Sequence, residues 1–311
     1  AGPGATFHDA NSTFWHVSTI VIGTKNNFER RLGIWPAGID EEGVLYSNTA
    51  YGDYPTFLPS QNKDHLKGSF SGWMLLNYNK PVSVSSTLGG FQPNYAVNED
   101  IKTYWSAKTG NKGEWLISDL GERSTIRAIQ INYADQDVTL MGKPENTVGH
   151  KYLITVSDNL KEWKVIVDKS KNSKDVPHEY VELEKPVIGR YLKIENIQMP
   201  TGKFALSGFR VFGKGNGEAP APVKNFVPLR VAPKTKGERR NVWFKWEQEP
   251  LADGYVIYFG KSPNQLYGSV MVYGKNEYYL NALDRSDAYY FQIESFNSNG
   301  ISPRTPVIRV E

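Results

Sequence analysis

Large apolar residues alternate with polar ones over short stretches along nearly the whole chain. Val242, Phe244 and Trp246, then Tyr255, Ile257 and Phe259, then Tyr289, Phe291 and Ile293 form three period-two runs. Each run puts its bulky members on one face of an extended strand. The same alternation recurs in Ile129, Ile131 and Tyr133, in Tyr152, Ile154 and Val156, in Val165 and Val167, in Val181 and Leu183, and in Phe209 and Val211. Near the N-terminus Phe14, His16, Ser18 and Ile20 interleave with Trp15, Val17, Thr19 and Val21. A polar turn at 9–12 precedes that strand, and Asp40-Glu41-Glu42-Gly43 supplies a second hairpin turn. No long apolar window carries a helical period, so the pattern predicts an all-β chain.

With 311 residues the chain exceeds what one hydrophobic core usually supports, and two or three domains are expected. The sharpest break is KGNGEAPAPVKN at 214–225, where Gly, Ala and Pro gather and the alternation stops. It predicts a linker at 215–223 between a domain at 78–214 and one at 224–311, with a shorter N-terminal piece at 1–77. The aromatic share of 13% fits strands rather than helices. A net charge of +3, with basic and acidic residues interleaved, speaks against a nucleic-acid partner. The absence of cysteine excludes a disulfide framework and a thiolate metal site. No twenty-residue apolar stretch exists, so neither a membrane-spanning helix nor an uncleaved signal peptide is expected. No catalytic motif stands out, since the five His are scattered and no G-x-S-x-G or glycine-rich phosphate loop follows a strand.

Residues 224–311, with Trp246, GYVIY at 254–258, Leu283 and AYYFQIESFNSNGIS from Ala288, resemble a fibronectin type III domain. The resemblance implies a β-sandwich serving as spacer or interaction module, with Tyr289 as the corner tyrosine whose hydroxyl is tied to backbone.

The middle segment carries AVNEDIKTYW from Ala96, GEWLISDLG from Gly113, Tyr152 to Trp163 with Ser157-Asp158-Asn159 between, GRYLKIE from Gly189 and LSGFRVFG from Leu206. In this order the motifs resemble a discoidin domain, the coagulation factor V/VIII C-type fold, which includes the family 32 carbohydrate-binding modules. The resemblance implies an eight-stranded jelly roll. In that family the first turn often holds Ca²⁺, here through Asn98, Asp100 and Thr103, although Asn98 replaces an Asp and Gly208 a distant Glu. The alternative is a turn closed by Asn98 and Asp100 side-chain bonds to backbone amides. Trp105 and Trp115 are expected in the core. Sugar recognition is expected on two long loops, 86–96 with Phe91, Asn94 and Tyr95, and 134–152 with Asp137 and His150. Phe91 packed under its own loop and His150 as a solvated surface residue are the simpler alternatives.

The N-terminal wording, GPG, FWHVSTIVI, NNFERRLGIWPAGID and GDYPTFLP, resembles the end of the five-bladed catalytic propeller of glycoside hydrolase family 43. One blade cannot bury both faces, so partner blades are implied beyond Ala1 and the chain is expected to be the C-terminal part of a longer protein. No acid here matches the family's three catalytic carboxylates; His16 and Arg30 are read as blade-interface residues. The resemblances imply the non-catalytic C-terminal region of a secreted, periplasmic or cell-surface polysaccharide-degrading glycoside hydrolase, holding a plant or host glycan or bracing the propeller. Part of an active arabinosidase-like or xylosidase-like inverting enzyme, completed by missing N-terminal blades, and a cell-surface adhesion protein are the alternatives. The partial blade is expected to pack on the discoidin-like sandwich through Trp35, Tyr54, Phe57 and Leu58.

Overall fold

A computed structural model describes residues 4–10, 12–21, 30–47, 49–57, 70–139, 148–231, 241–281 and 283–311. Among them, twenty strands and one single-turn 3-10 helix make up the regular structure, so the chain is all-β as its alternation predicts. It divides into two compact units. One is built mainly on residues 75–216, the other on residues 2–18, 33–74 and 217–311.

Strands β1 (Gly4–His8), β2 (Phe14–Val21), β3 (Arg30–Ile39) and β4 (Leu45–Ser47) form a four-stranded sheet in that order. Both predicted turns are held by aspartates. Asp9 accepts the Thr13 amide (3.0 Å) and the Trp15 indole N–H (3.0 Å), and Asp40 accepts the amides of Glu42 (3.0 Å) and Val44 (2.8 Å). A short carboxylate that bonds its own backbone two to four residues on is what fits these residues for turns.

In the first unit, β5 (Met74–Leu75), β6 (Val82–Val84), β7 (Trp105–Ser106), β8 (Trp115–Tyr133), β9 (Lys151–Ser157), β10 (Lys164–Asp168), β11 (His178–Gln198) and β12 (Ala205–Lys214) form an eight-stranded jelly roll. The order is β10-β9-β11-β8-β12-β5, with β6 on β8 and β7 on β12. The two longest strands run antiparallel and shift register between Glu182 and Val187 and again between Gly189 and Tyr191. Such irregularities let a strand turn a corner and serve both layers. Trp105, Leu116, Ile129, Ile154, Phe204 and Phe209 are fully buried between the layers; burying each such side chain contributes about 2 to 3 kcal/mol. Trp115 points the other way and is only partly buried, because it sits on the outward phase of β8.

The C-terminal part is a sandwich. A three-stranded sheet of β13 (Val227–Arg230), β14 (Val242–Lys245) and β17 (Glu277–Leu280) faces a five-stranded one. The latter comprises β15 (Gly254–Gly260), β16 (Gly268–Tyr273), β18 (Tyr289–Asn297), β19 (Gly300–Ile301) and β20 (Ile308–Val310). The three alternating runs read from sequence supply its core, with Phe244, Ile257, Phe291 and Ile293 fully buried. The Tyr289 hydroxyl accepts the Asp284 amide (3.0 Å), the backbone tie expected of it. The Pro/Ala-rich stretch before β13 lies against this sandwich: Asn297 donates to the Glu218 carbonyl (2.9 Å) and Ser295 to that of Ala221 (2.8 Å).

The same unit holds the segment after β3, and here the sequence expectation is corrected. Tyr54, expected against the middle domain, lies edge-on to Phe296 (6.4 Å between ring centroids) and shares a hydrogen bond with the Tyr273 hydroxyl (2.6 Å). Tyr46 stacks on Tyr267 (4.7 Å), whose hydroxyl donates to Asp40 (2.7 Å). Tyr51 stacks on Phe70 and donates to Glu294 (3.1 Å). The Trp35 indole N–H donates to the Gly52 carbonyl (3.2 Å), while Phe57 is 52% exposed against the edge of Trp73. Leu58 and the Arg30 side chain lie outside the described residues. Period-two patterning shows which face of a strand is apolar but not which distant surface covers it.

Candidate functional site

Three backbone hydrogen bonds gather one end of the jelly roll: Ala134 N to Ala205 O (2.9 Å), Asn196 N to Glu114 O (2.8 Å) and Phe204 N to Thr109 O (3.0 Å). Loops 86–96, 107–114, 134–139 and 199–204 meet there. Gly110 and Gly202 make the closeness possible, since a Cβ at Gly110 would lie 2.2 Å from the Gly202 carbonyl oxygen.

At this end Phe91 packs on Tyr104 (4.7 Å between centroids). The Tyr104 hydroxyl donates to Gln136 Oε1 (2.8 Å), Gln136 Nε2 donates to Asp137 Oδ1 (2.7 Å), and Lys203 Nζ pairs with Asp137 Oδ2 (2.8 Å). Asp137 has φ 55°, a left-handed conformation that Asp tolerates better than most residues, and its side chain is 56% exposed. Asn94 is exposed and Tyr95 partly buried on the 3-10 helix Pro93–Ala96. The structure thus brings Phe91 and Asp137 into one connected set, with Asn94 and Tyr95 on the loop that carries Phe91. Residues 140–147 lie outside the described residues.

His150 is not part of that set. Its solvated alternative does not describe it, since it is 5% exposed with its ring tilted against Tyr133 (4.2 Å). Its Nδ1 accepts the Val176 amide (3.2 Å), and burial, with the neighbouring His178, holds its pKa down to about 4. Asp175 Oδ1, 3.1 Å away, therefore meets a neutral ring rather than an imidazolium.

Sequence reasoning missed Glu114. It is 9% exposed at the head of β8 and accepts hydrogen bonds from the hydroxyls of Ser85, Ser86 (2.8 Å) and Thr109 (2.7 Å). Burial pushes its pKa up, but these hydroxyls outweigh burial and hold it below the ordinary carboxylate range. Two of its partners lie twenty-eight and twenty-nine residues away, so no local pattern could have flagged it. Chemically, this end offers aromatic surface beside exposed acceptors and a lysine donor. That is a set suited to holding a polar ligand by orientation rather than to bond cleavage.

The turn at 98–103 closes on itself. Asn98 Nδ2 donates to Thr103 Oγ1 (2.9 Å), Asn98 Oδ1 accepts the Asp100 amide (3.0 Å), and Asp100 Oδ1 accepts the Lys102 amide (2.9 Å). Glu99 is held by both Arg210 Nε (3.1 Å) and Nη2 (2.9 Å). Asn98 and Asp100 thus bond backbone amides, the arrangement of a hydrogen-bonded turn. Chelation with EDTA is accordingly expected to leave the thermal midpoint within about 1 °C, checked by differential scanning fluorimetry with and without added CaCl₂.

Comparison with known families bears on the middle of this unit. Residues 81–208 match the F5/8 type C domain. No curated protein matches the chain. Among solved structures, chitosan-binding module 1 of a chitosanase/glucanase from Paenibacillus sp. IK-5 is 19% identical, with 45% of this chain and 99% of that one covered at a TM-score of 0.37. The family 32 module of Clostridium perfringens NanJ, solved with galactose, is also 19% identical, with 42% and 92% covered at a TM-score of 0.34. Another Clostridium perfringens family 32 module, CBM32-6 of GH89, is 20% identical, with 43% and 94% covered at a TM-score of 0.35. The F5/8 type C domain thus spans β6 to the middle of β12 and includes both ends of the jelly roll. Among the described residues no helix is long and apolar enough to cross a membrane.

Proposed function

We propose that the F5/8 type C domain binds carbohydrate at the end carrying Phe91, Asn94, Tyr95 and Asp137. The observation that carries this is the set Phe91, Tyr104, Gln136, Asp137 and Lys203, in which a buried tyrosine and an amide position an exposed carboxylate beside a lysine. A sugar offers C–H faces to aromatics and hydroxyls to such charged, pre-oriented groups. Asp137→Ala is expected to weaken glycan binding at least 10-fold while lowering the thermal midpoint by only a few °C, the loss that an alanine at positive φ entails. Isothermal titration against xylan, arabinan, galactan and host-type oligosaccharides measures it, and no binding by the parent protein to any of them would end the proposal.

The wider role is the non-catalytic C-terminal region of a secreted polysaccharide-degrading enzyme, with the family 43-like residues 1–77 as the end of its propeller. Bracing those residues falls to the fibronectin type III-like sandwich rather than to the glycan-binding domain; the contacts of Tyr46, Tyr51 and Tyr54 with Tyr267, Glu294 and Tyr273 support this. The sandwich is then more than a spacer. Glycan capture serves such an enzyme by raising the local concentration of its substrate.

A further inference from the structure

The corner of the jelly roll, opposite the end just described, contains a concavity. It encloses about 560 Å³ and is lined by Trp163, Val187 and Ile188 with Asp158, Glu162 and Lys164 around them. That volume falls in the range of small-molecule sites. Ile188 is 59% exposed and Trp163 partly so, which leaves an aromatic plane and an aliphatic floor facing water side by side.

The loop that presents Trp163 is fixed by its own polar groups. Ser157 Oγ accepts the amides of Asn159 (3.2 Å) and Leu160 (3.0 Å), and Asn159 Oδ1 accepts those of Lys161 (2.9 Å) and Glu162 (2.9 Å). The indole N–H donates to the Leu160 carbonyl (3.2 Å), so the ring is locked in orientation. Lys193 Nζ lies 5.2 Å from its centroid. A ligand stacking on a plane held this way loses little to ordering of the protein.

We infer that this groove is a second saccharide subsite, in which a pyranose ring stacks on Trp163 and its hydroxyls reach Glu162 and Lys164. The inference deepens the carbohydrate-binding proposal and rests on it. An amphipathic lining matches a sugar, which has an apolar face and a polar rim. Both signs of charge occur on the rim, and Asp158 is already paired with Arg123 (3.2 Å). That balance selects a neutral sugar over a strongly anionic one. The separation follows from β9, which runs from Lys151, paired with Gln198 just before loop 199–204, to Ser157 at the groove; six steps at ~3.3 Å make the strand about 20 Å long. Two weak sites at that spacing on one domain would hold a polymer more tightly than either alone.

The test is a titration of the ¹⁵N-labelled full chain with galactose, xylotriose and chitotriose, following the tryptophan indole resonances. A saturable shift of the Trp163 signal with at least one probe is expected. It should persist in Asp137→Ala and weaken at least 5-fold in Glu162→Gln. Trp163→Ala should reduce the binding stoichiometry from two to one. If the Trp163 resonance stays still while amides near Asp137 move, the groove is not a subsite and the first proposal stands. If neither end responds, both fail. Should Trp163→Ala not fold, Glu162→Gln decides alone, since an unchanged Trp163 titration in that variant overturns the proposed contacts.

Discussion

Glu294→Ala is expected to lower the thermal midpoint of the unit formed by residues 2–18, 33–74 and 217–311 by roughly 8 °C. Glu294 is 5% exposed on β18. One carboxylate oxygen accepts the Tyr258 hydroxyl (2.8 Å) and the Tyr51 hydroxyl (3.1 Å), and the other accepts Arg304 Nε (3.0 Å). Arg304 also lies over the Tyr258 ring at 3.7 Å. Burial and the adjacent carboxylate push both phenols far above the ordinary tyrosine range, so they stay neutral donors at any physiological pH. Truncating Glu294 strands two buried hydroxyls, each costing about 1 kcal/mol or more. It also leaves a cation without its partner, discounted here because the Arg304 side chain is 46% exposed. The sum is about 3 kcal/mol, at roughly 2 to 4 °C per kcal/mol for a unit of this size. Calorimetry gives the midpoint, and hydrogen exchange tests the mechanism. The amides of Gly52 and Tyr54, bonded to Thr49 and Tyr51 carbonyls, should exchange faster once Tyr51 loses its anchor. Tyr51→Phe should reproduce the faster exchange at a cost of only about 1 kcal/mol. A Glu294→Ala protein with unchanged midpoint and exchange would show that this network does not hold the segment.

What the sequence disclosed and what it hid divide along contact range. Alternation placed the core of both sandwiches, Asp9 and Asp40 marked their turns, and the Tyr289 hydroxyl is tied to backbone as its position suggested. All of these are set by residues within a few positions of one another. Tyr51 and Glu294 are 243 residues apart, and nothing local to YSNTAYGDYP says that its tyrosines will meet a carboxylate on β18. Tyr54 was legible as a packing residue, yet its partner was not, because an apolar face specifies burial without specifying by what. The candidate site behaves the same way. Phe91 and Asp137 stood out on long loops, whereas the connecting Tyr104, Gln136 and Lys203 become visible only when three loops converge. Glu114, two of whose three hydroxyl partners lie nearly thirty residues away, gave no signal.

Acidification should destabilise the jelly roll through His150 well before its carboxylates titrate. With a folded pKa near 4 against 6.5 in the unfolded chain, the unfolded state binds the extra proton throughout the interval between them. Stability is therefore full above pH 6.5 and falls as the pH drops from 6.5 toward 4, by up to about 3 kcal/mol. The groups facing the ring set the sign. Nδ1 already accepts the Val176 amide, His178 adds like charge when protonated, and Tyr133 covers one face. Asp175 opposes them, but its side chain is 40% exposed and its attraction is screened. Protonating the buried ring would break the Val176 bond and bury a charge beside a phenol that burial keeps neutral. Glu114 and Asp119, whose pKa values lie below the carboxylate range, add their own losses only at lower pH. Urea unfolding between pH 7 and 5 should show a fall of about 2 kcal/mol in the parent protein. In His150→Gln, whose amide oxygen can still accept from Val176, that slope should disappear. A parent protein equally stable at pH 5 and pH 7 would mean that His150 takes up its proton in the folded state and pairs with Asp175.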